Sequence, residues 1–154
     1  MAEPHLAEAL DTYVKLLRAG RAVLARVEPR LVAAGLTTTQ FGVLEAILHK
    51  GPLSQRELCR KVLTSAGNMT DLVDKLEARG LVRRARPPSD RRAVRVELTR
   101  TGRGLIEPLF ARHAEDIAAA MAGLDAGELR QLGGLLRRLG LAADEALEVG
   151  SEDH

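Results

Sequence analysis

Two groups of side chains in the middle of the chain have the types and spacing to recognise a polyanion. The first is Thr64, Ser65, Gly67, Asn68, Thr70 and Lys75. At helical spacing these fall on one face, while Met69, Leu72, Val73 and Leu76 form an apolar stripe on the other. Short hydroxyl and amide side chains can bond to base edges and phosphates, and a glycine lets the backbone come close. The first turn of such a helix also offers free N–H groups and a partial positive charge to phosphate. The second group is Arg84, Arg86, Arg91 and Arg92, flanked by Arg83 and Arg95 and folded around Pro87-Pro88-Ser89-Asp90. Guanidinium groups pair with phosphates, and the two prolines stiffen the arm that carries them. Asp90 is expected to orient Arg91 or Arg92 by a charge-assisted hydrogen bond. Lys75 also suits an ordinary i,i+4 pair with Asp71 on a solvated face.

Elements that must position these groups can be read on either side. Ser54 with Glu57 is a capping box that opens a short helix from about Gln55 to Val62, burying Leu58 and Val62. Leu63-Thr64-Ser65 is the turn into the polar-faced helix, capped by Thr64 or Ser65 and ended by Gly80. Leu81-Val82 and Val94, Val96 and Leu98 alternate as two strands joined by the arginine-bearing loop. Short helix, turn, longer helix and basic hairpin, in that order, make a winged helix-turn-helix.

The flanks are helical. Leu6, Leu10, Tyr13, Leu17, Leu24, Val27 and Leu31 recur at helical spacing, with a kink expected near Gly20 or Pro29. Thr38 or Thr39 caps a second helix carrying Phe41, Val43, Leu44, Ile47 and Leu48. Beyond the hairpin, Thr99 starts a helix that holds Pro108, and Asp125 caps a last one with Leu129, Leu132, Leu135, Leu136 and Leu139. The expected architecture is therefore mainly α with a small β-hairpin wing. Helices 5–34 and 100–142 form a dimerisation layer, 36–99 is the DNA-binding region, and 144–154 is an acidic, frayed tail.

Bulk properties agree with one compact domain of 154 residues. Apolar residues make up 45% and aromatics 2%, so the core must be aliphatic. Net charge is +2, unevenly spread: residues 53–98 hold eleven Lys/Arg against six acids, and residues 99–154 hold six against ten. A basic middle with an acidic flank is the footprint of a localised polyanion-binding face. Neither a membrane-length apolar run nor a secretory signal is visible, and the single Cys59 excludes an internal disulfide, so a cytoplasmic protein is expected. His5, His49, His113 and His154 are scattered with no metal-ligand spacing. No nucleophile triad and no phosphate-cradling glycine loop stand out, which argues against an enzyme; neither a metal nor a cofactor is expected. Cys59 reads as a small buried or half-buried side chain. Tyr13 and Phe41 read as core, and with His113 they are candidates for lining an aromatic ligand's pocket.

Leu36-Thr37-Thr38-Thr39-Gln40-Phe41, Leu53-Ser54-Gln55-Arg56-Glu57-Leu58, Asn68-Met69-Thr70, Val73 through Arg84, Asp90-Arg91-Arg92 and Leu98-Thr99 with Gly102 occur in order across nearly the whole chain. With these pieces the sequence resembles the MarR family of winged-helix regulators of multiple antibiotic resistance. The resemblance implies a homodimer on a pseudo-palindromic double-stranded operator, usually a repressor, released by a small phenolic or anionic effector. Pro108 and His113 followed by an acidic, Ala-rich helix resemble the branch associated with quinones and other aromatic compounds. The cysteine, zinc-ligand and Trp positions of the oxidant-, zinc- and urate-sensing branches are not matched here. The alternatives are a DNA-binding regulator or architectural protein with no effector, and a cleft-binding carrier or enzyme.

Overall fold

The computed structural model describes residues 3–62, 66–90 and 92–151. Along the chain it contains α1 (Glu3–Ala33), α2 (Thr38–Lys50), α3 (Gln55–Val62), α4 (Ala66–Ala78), β1 (Val82–Ala85), β2 (Arg95–Leu98), α5 (Arg100–Ala120) and α6 (Ala126–Ser151). The fold is a winged helix-turn-helix, mainly α with one antiparallel hairpin. It divides into two compact units, the first reaching Ala118 and the second starting at Ala119.

The first unit is built on an aliphatic core. Val43 and Leu44 of α2, Leu58 of α3, Met69, Val73 and Leu76 of α4, Val96 of β2 and Ile106 of α5 are all fully buried. Each is the inward position of its own element's period, so helix faces and one sheet face close on a single cluster. β1 pairs with β2 in the register Val82↔Leu98 through Ala85↔Arg95. Leu53 bridges to β2 from outside the hairpin: it exchanges backbone hydrogen bonds with Val96 at 3.1 and 2.7 Å, which ties the α2–α3 connection to the wing.

Local chemistry sets the boundaries. At the start of α2 the cap is Thr37, not Thr38 or Thr39. Its hydroxyl accepts from the Gln40 amide and its own amide donates to the Gln40 side chain, a complete capping box. The Ser54–Glu57 box forms as its spacing predicts. α4 ends in a Schellman turn: Gly80 N–H donates to the Glu77 carbonyl and Leu81 N–H to the Leu76 carbonyl. Gly80 sits at φ 72°, where a side chain would be strained. Thr99 precedes α5 as its cap, donating to the Gly80 carbonyl at 2.5 Å and accepting from the Gly102 amide at 3.0 Å. A Cβ on Gly102 would lie 1.9 Å from the Leu81 carbonyl oxygen, so only glycine lets α5 start against this turn.

Pro29 and Pro108 lie inside α1 and α5, each of which spans its proline as one helix. Two expectations need correction. Tyr13 does not join the core: it is 57% exposed, whereas Phe41 is buried as expected. α6 extends to Ser151, well into the stretch expected to fray. In the second unit, Asp125 and Glu128 form a reciprocal capping box, and Leu135, Leu136, Leu139 and Leu141 are exposed along the helix.

Candidate nucleic-acid interface

α4 separates its residues as the sequence divides them. Met69, Val73 and Leu76 are buried beneath it, and Gly67, Asn68, Thr70 and Lys75 are exposed on top. Three proposed contacts, Thr64, Ser65 and Arg91, lie outside the described residues. Lys75 forms the i,i+4 pair with Asp71, at 2.9 Å with both side chains mostly exposed. Such a pair stabilises a helix by only about 0.2–0.5 kcal/mol and can yield to a phosphate.

The wing is less uniform than its string of arginines suggests. Arg86 and Arg92 are exposed on the loop between β1 and β2. Arg83 pairs with Glu97, its cross-strand partner. Among the described residues no bond joins the Asp90 carboxylate to the Arg92 guanidinium, and the Arg91 half of that expectation lies outside them. Asp90 instead accepts through its carboxylate from the Arg92 backbone amide at 3.0 Å, while its own N–H donates to the Pro87 carbonyl at 3.2 Å. Asp90 therefore shapes the turn that presents the arginines.

Arg84 differs most from its sequence reading. Its Nε donates to Gln55 Oε1 at 3.1 Å, its Nη1 to Glu77 Oε1 at 3.1 Å and its Nη2 to the Thr70 carbonyl at 3.4 Å, while Nη2 also forms an ion pair with Asp74 Oδ1 at 2.8 Å. Its backbone N–H donates to Glu77 Oε2 at 2.8 Å. Gln55 in turn donates from Nε2 to Thr70 Oγ1 at 3.1 Å. Thr70, Asp74 and Glu77 are spaced at four and three residues, so one side of α4 supplies every acceptor but Gln55. Gln55 is a residue that sequence reasoning missed. Its only signal was a polar side chain one position past the Ser54 cap.

A second polar cluster joins the helices behind the reading unit. Arg30 of α1 makes a two-point pair with Asp116 of α5, through Nε to Oδ2 and through Nη2 to Oδ1 at 3.0 Å. The hydrogen bond from Arg30 holds the Asp116 carboxyl below its usual range and raises the guanidinium. One turn earlier, His113 is buried against Phe41, with ring centroids 4.5 Å apart. Its Nδ1 has no hydrogen-bond partner among the described residues. Burial lowers the His113 pKa, and nearby Arg30 adds to this, against the opposing charges of Asp116 and Glu45. Of the three candidate ligand residues, the structure thus brings Phe41 and His113 together but not Tyr13. Cys59 is half-buried against the core. No group of three or more metal-ligating side chains occurs among the described residues, and no single described helix is long and apolar enough to cross a membrane.

Comparison with known proteins agrees with this geometry. Residues 34–93 match the MarR family. The chain is 33% identical over 138 residues to the HTH-type transcriptional regulator MhqR of Bacillus subtilis, covering 90% of this chain and 95% of that protein. It superposes on CouR from Rhodococcus jostii, solved bound to p-coumaroyl-CoA, with a TM-score of 0.78 and 30% identity over 84% of this chain and 91% of CouR. It superposes on a mutant MarR from E. coli, solved with operator DNA, with a TM-score of 0.75 and 25% identity over 86% and 95% of the two chains. Motif order, the polar outer face of α4, the arginine-bearing hairpin and full-length similarity to these regulators give one answer: the chain belongs to the MarR family of DNA-binding transcriptional regulators.

Proposed function

We propose that this protein is a homodimeric repressor that reads a pseudo-palindromic operator and is released by a small aromatic or anionic effector. One observation carries the reading. The exposed polar face of α4 and the exposed wing arginines, Arg86 and Arg92, belong to one unit and are braced to each other through Arg84. α4 enters the major groove, where Gly67, Asn68 and Thr70, with Thr64 and Ser65 at its start, meet bases and phosphates. The wing reaches the neighbouring minor groove or its phosphates. Similarity to a MarR protein solved with operator DNA supports this docking mode.

Dimerisation is supported by unsatisfied apolar surface. Leu6, Leu10 and Leu17 on α1 and Leu135 and Leu139 on α6 are each more than half exposed, along with Tyr13. A second copy covers such faces and sets two α4 helices about 34 Å apart, one turn of duplex. Effector release is supported by the CouR complex and by the buried Phe41–His113 pair, whose Nδ1 has no hydrogen-bond partner among the described residues, near the charged Arg30. The effector class follows the branch associated with quinones and other aromatic compounds. A ligand preferring another separation of the α4 helices lowers operator affinity by its differential affinity for the two states. No enzymatic activity is assigned.

The test is selection of duplexes from a random pool, footprinting of the enriched site, and titration with benzoic and hydroxycinnamic acids and quinones. Enrichment of a two-fold symmetric site, with release by one of these compounds, is the expected result. Asn68→Ala should change sequence preference, while Arg92→Ala should weaken all duplexes alike and lower the salt slope by about one. Enrichment without release by any compound supports a regulator that lacks an effector.

A further inference from the structure

We propose that Arg84 is a positioning residue: its guanidinium makes no phosphate contact but fixes the wing against α4, and DNA sequence discrimination depends on that tie. The proposal rests on the DNA-binding reading above. Arg84 lies at the base of an arginine-rich hairpin, so its sequence context suggests a phosphate ligand. Its surroundings suggest otherwise. Each of its three side-chain nitrogens already faces a protein acceptor, on Gln55, Thr70, Asp74 and Glu77. The side chain is only 24% exposed. Two carboxylates flank one guanidinium, leaving the cluster with a net negative charge, the wrong sign for meeting a phosphate.

Donor and acceptors together span three elements. Gln55 opens α3, Thr70, Asp74 and Glu77 lie along one side of α4, and Arg84 itself is in β1. One planar fork therefore sets the position of the wing's first strand relative to the helix that reads the bases. The same network reaches the reading face directly, because Gln55 bonds both Arg84 and the Thr70 hydroxyl. A lysine keeps the charge but cannot satisfy diverging acceptors as a rigid fork does.

The sign of one substitution separates the two roles. Glu77→Gln removes a negative charge beside a polyanion-binding face. If Arg84 contacts phosphate, this variant frees it and binds every duplex more tightly. If Arg84 positions the wing, the variant loses affinity for the duplex enriched by the wild type, roughly tenfold, and keeps its affinity for an unselected random duplex. Arg84→Lys should lower the same ratio as much as Arg84→Gln. Fluorescence anisotropy with both duplexes at one salt concentration reads the ratio, and thermal melts of the free protein run alongside. Tighter binding of Glu77→Gln to both duplexes overturns the proposal, and so does a wild-type ratio in Arg84→Lys. A lowered melting temperature with an unchanged ratio also overturns it, since Arg84 would then be a structural tie without effect on discrimination. A wild-type chain that enriches no sequence at all overturns the DNA-binding reading as well, a result distinct from the other three.

Discussion

The two ends of α1 follow one spacing rule into opposite surroundings. Near its end, Val27 and Leu31 are 5% and 1% exposed and pack within their own chain. Near its start, Leu6, Leu10 and Leu17 recur at the same helical period but are 60%, 58% and 53% exposed. Periodicity says that a face must be covered. It does not say by what. The covered end of α1 belongs to the core that shapes the DNA-reading unit, and the other end keeps its apolar face exposed in the single chain. The same contrast separates the first unit's core from the exposed leucines of α6.

The largest expected effect comes from the covered side. Leu44 is fully buried in α2. Leu44→Ala removes contacts that the surroundings only partly restore and should cost about 2–5 kcal/mol of folding stability. Because this core lies within one chain, the difference from wild type should be the same at every protein concentration. Denaturant titrations at two concentrations a hundredfold apart check this. A loss that grows on dilution would show that the core, too, depends on association.

The next effect breaks the uncovered side. Burying a leucine fully contributes about 1.5–3 kcal/mol, and a two-fold interface counts each position twice. Leu10→Glu with Leu17→Glu should therefore abolish self-association at micromolar concentration, as read by sedimentation, and leave the far-ultraviolet helix signal of the winged unit in place. A double variant that still sediments as a dimer would assign the exposed leucines of α1 to some other cover.

These contrasts also explain what the sequence disclosed and what it withheld. The winged helix-turn-helix was legible because its signals are local: the Ser54–Glu57 box, the buried stripe of α4, the Gly80 stop and the alternation of Val94, Val96 and Leu98. The choice of Thr37 over Thr38 as a cap was not, since three consecutive threonines offer the same chemistry. Arg84 was misleading because its partners lie as far as 29 residues away and on two other elements. A charge run shows that cations are present but not which of them are already paired. Tyr13 was read as core because a periodic aromatic is usually covered by its own chain, and here it is not.

The smallest expected effect marks where the covered end of α1 meets its neighbours. His113 of α5 is buried beside Phe41 of α2 and faces Arg30 of α1, Glu45 of α2 and Asp116 of its own helix. Its folded pKa lies below the usual 6.5, chiefly through burial, so the unfolded chain binds the proton first. Its contribution is fully present above that usual value and is lost as pH falls through the lowered one. Asp116 is also lowered, chiefly by the Arg30 hydrogen bond, but from 3.8, so its contribution is lost only in a lower window. Wild-type stability should therefore decline in two separate steps on acidification. His113→Phe, which keeps an aromatic ring against Phe41, should remove the upper step, and Asp116→Asn should shrink the lower one, to which Glu57, also lowered by its bond from the Ser54 amide, contributes as well. Thermal melts between about pH 7.5 and 3 resolve the two. An upper step that survives in His113→Phe would assign it to another group and leave His113 without a part in joining α1 to the DNA-reading unit.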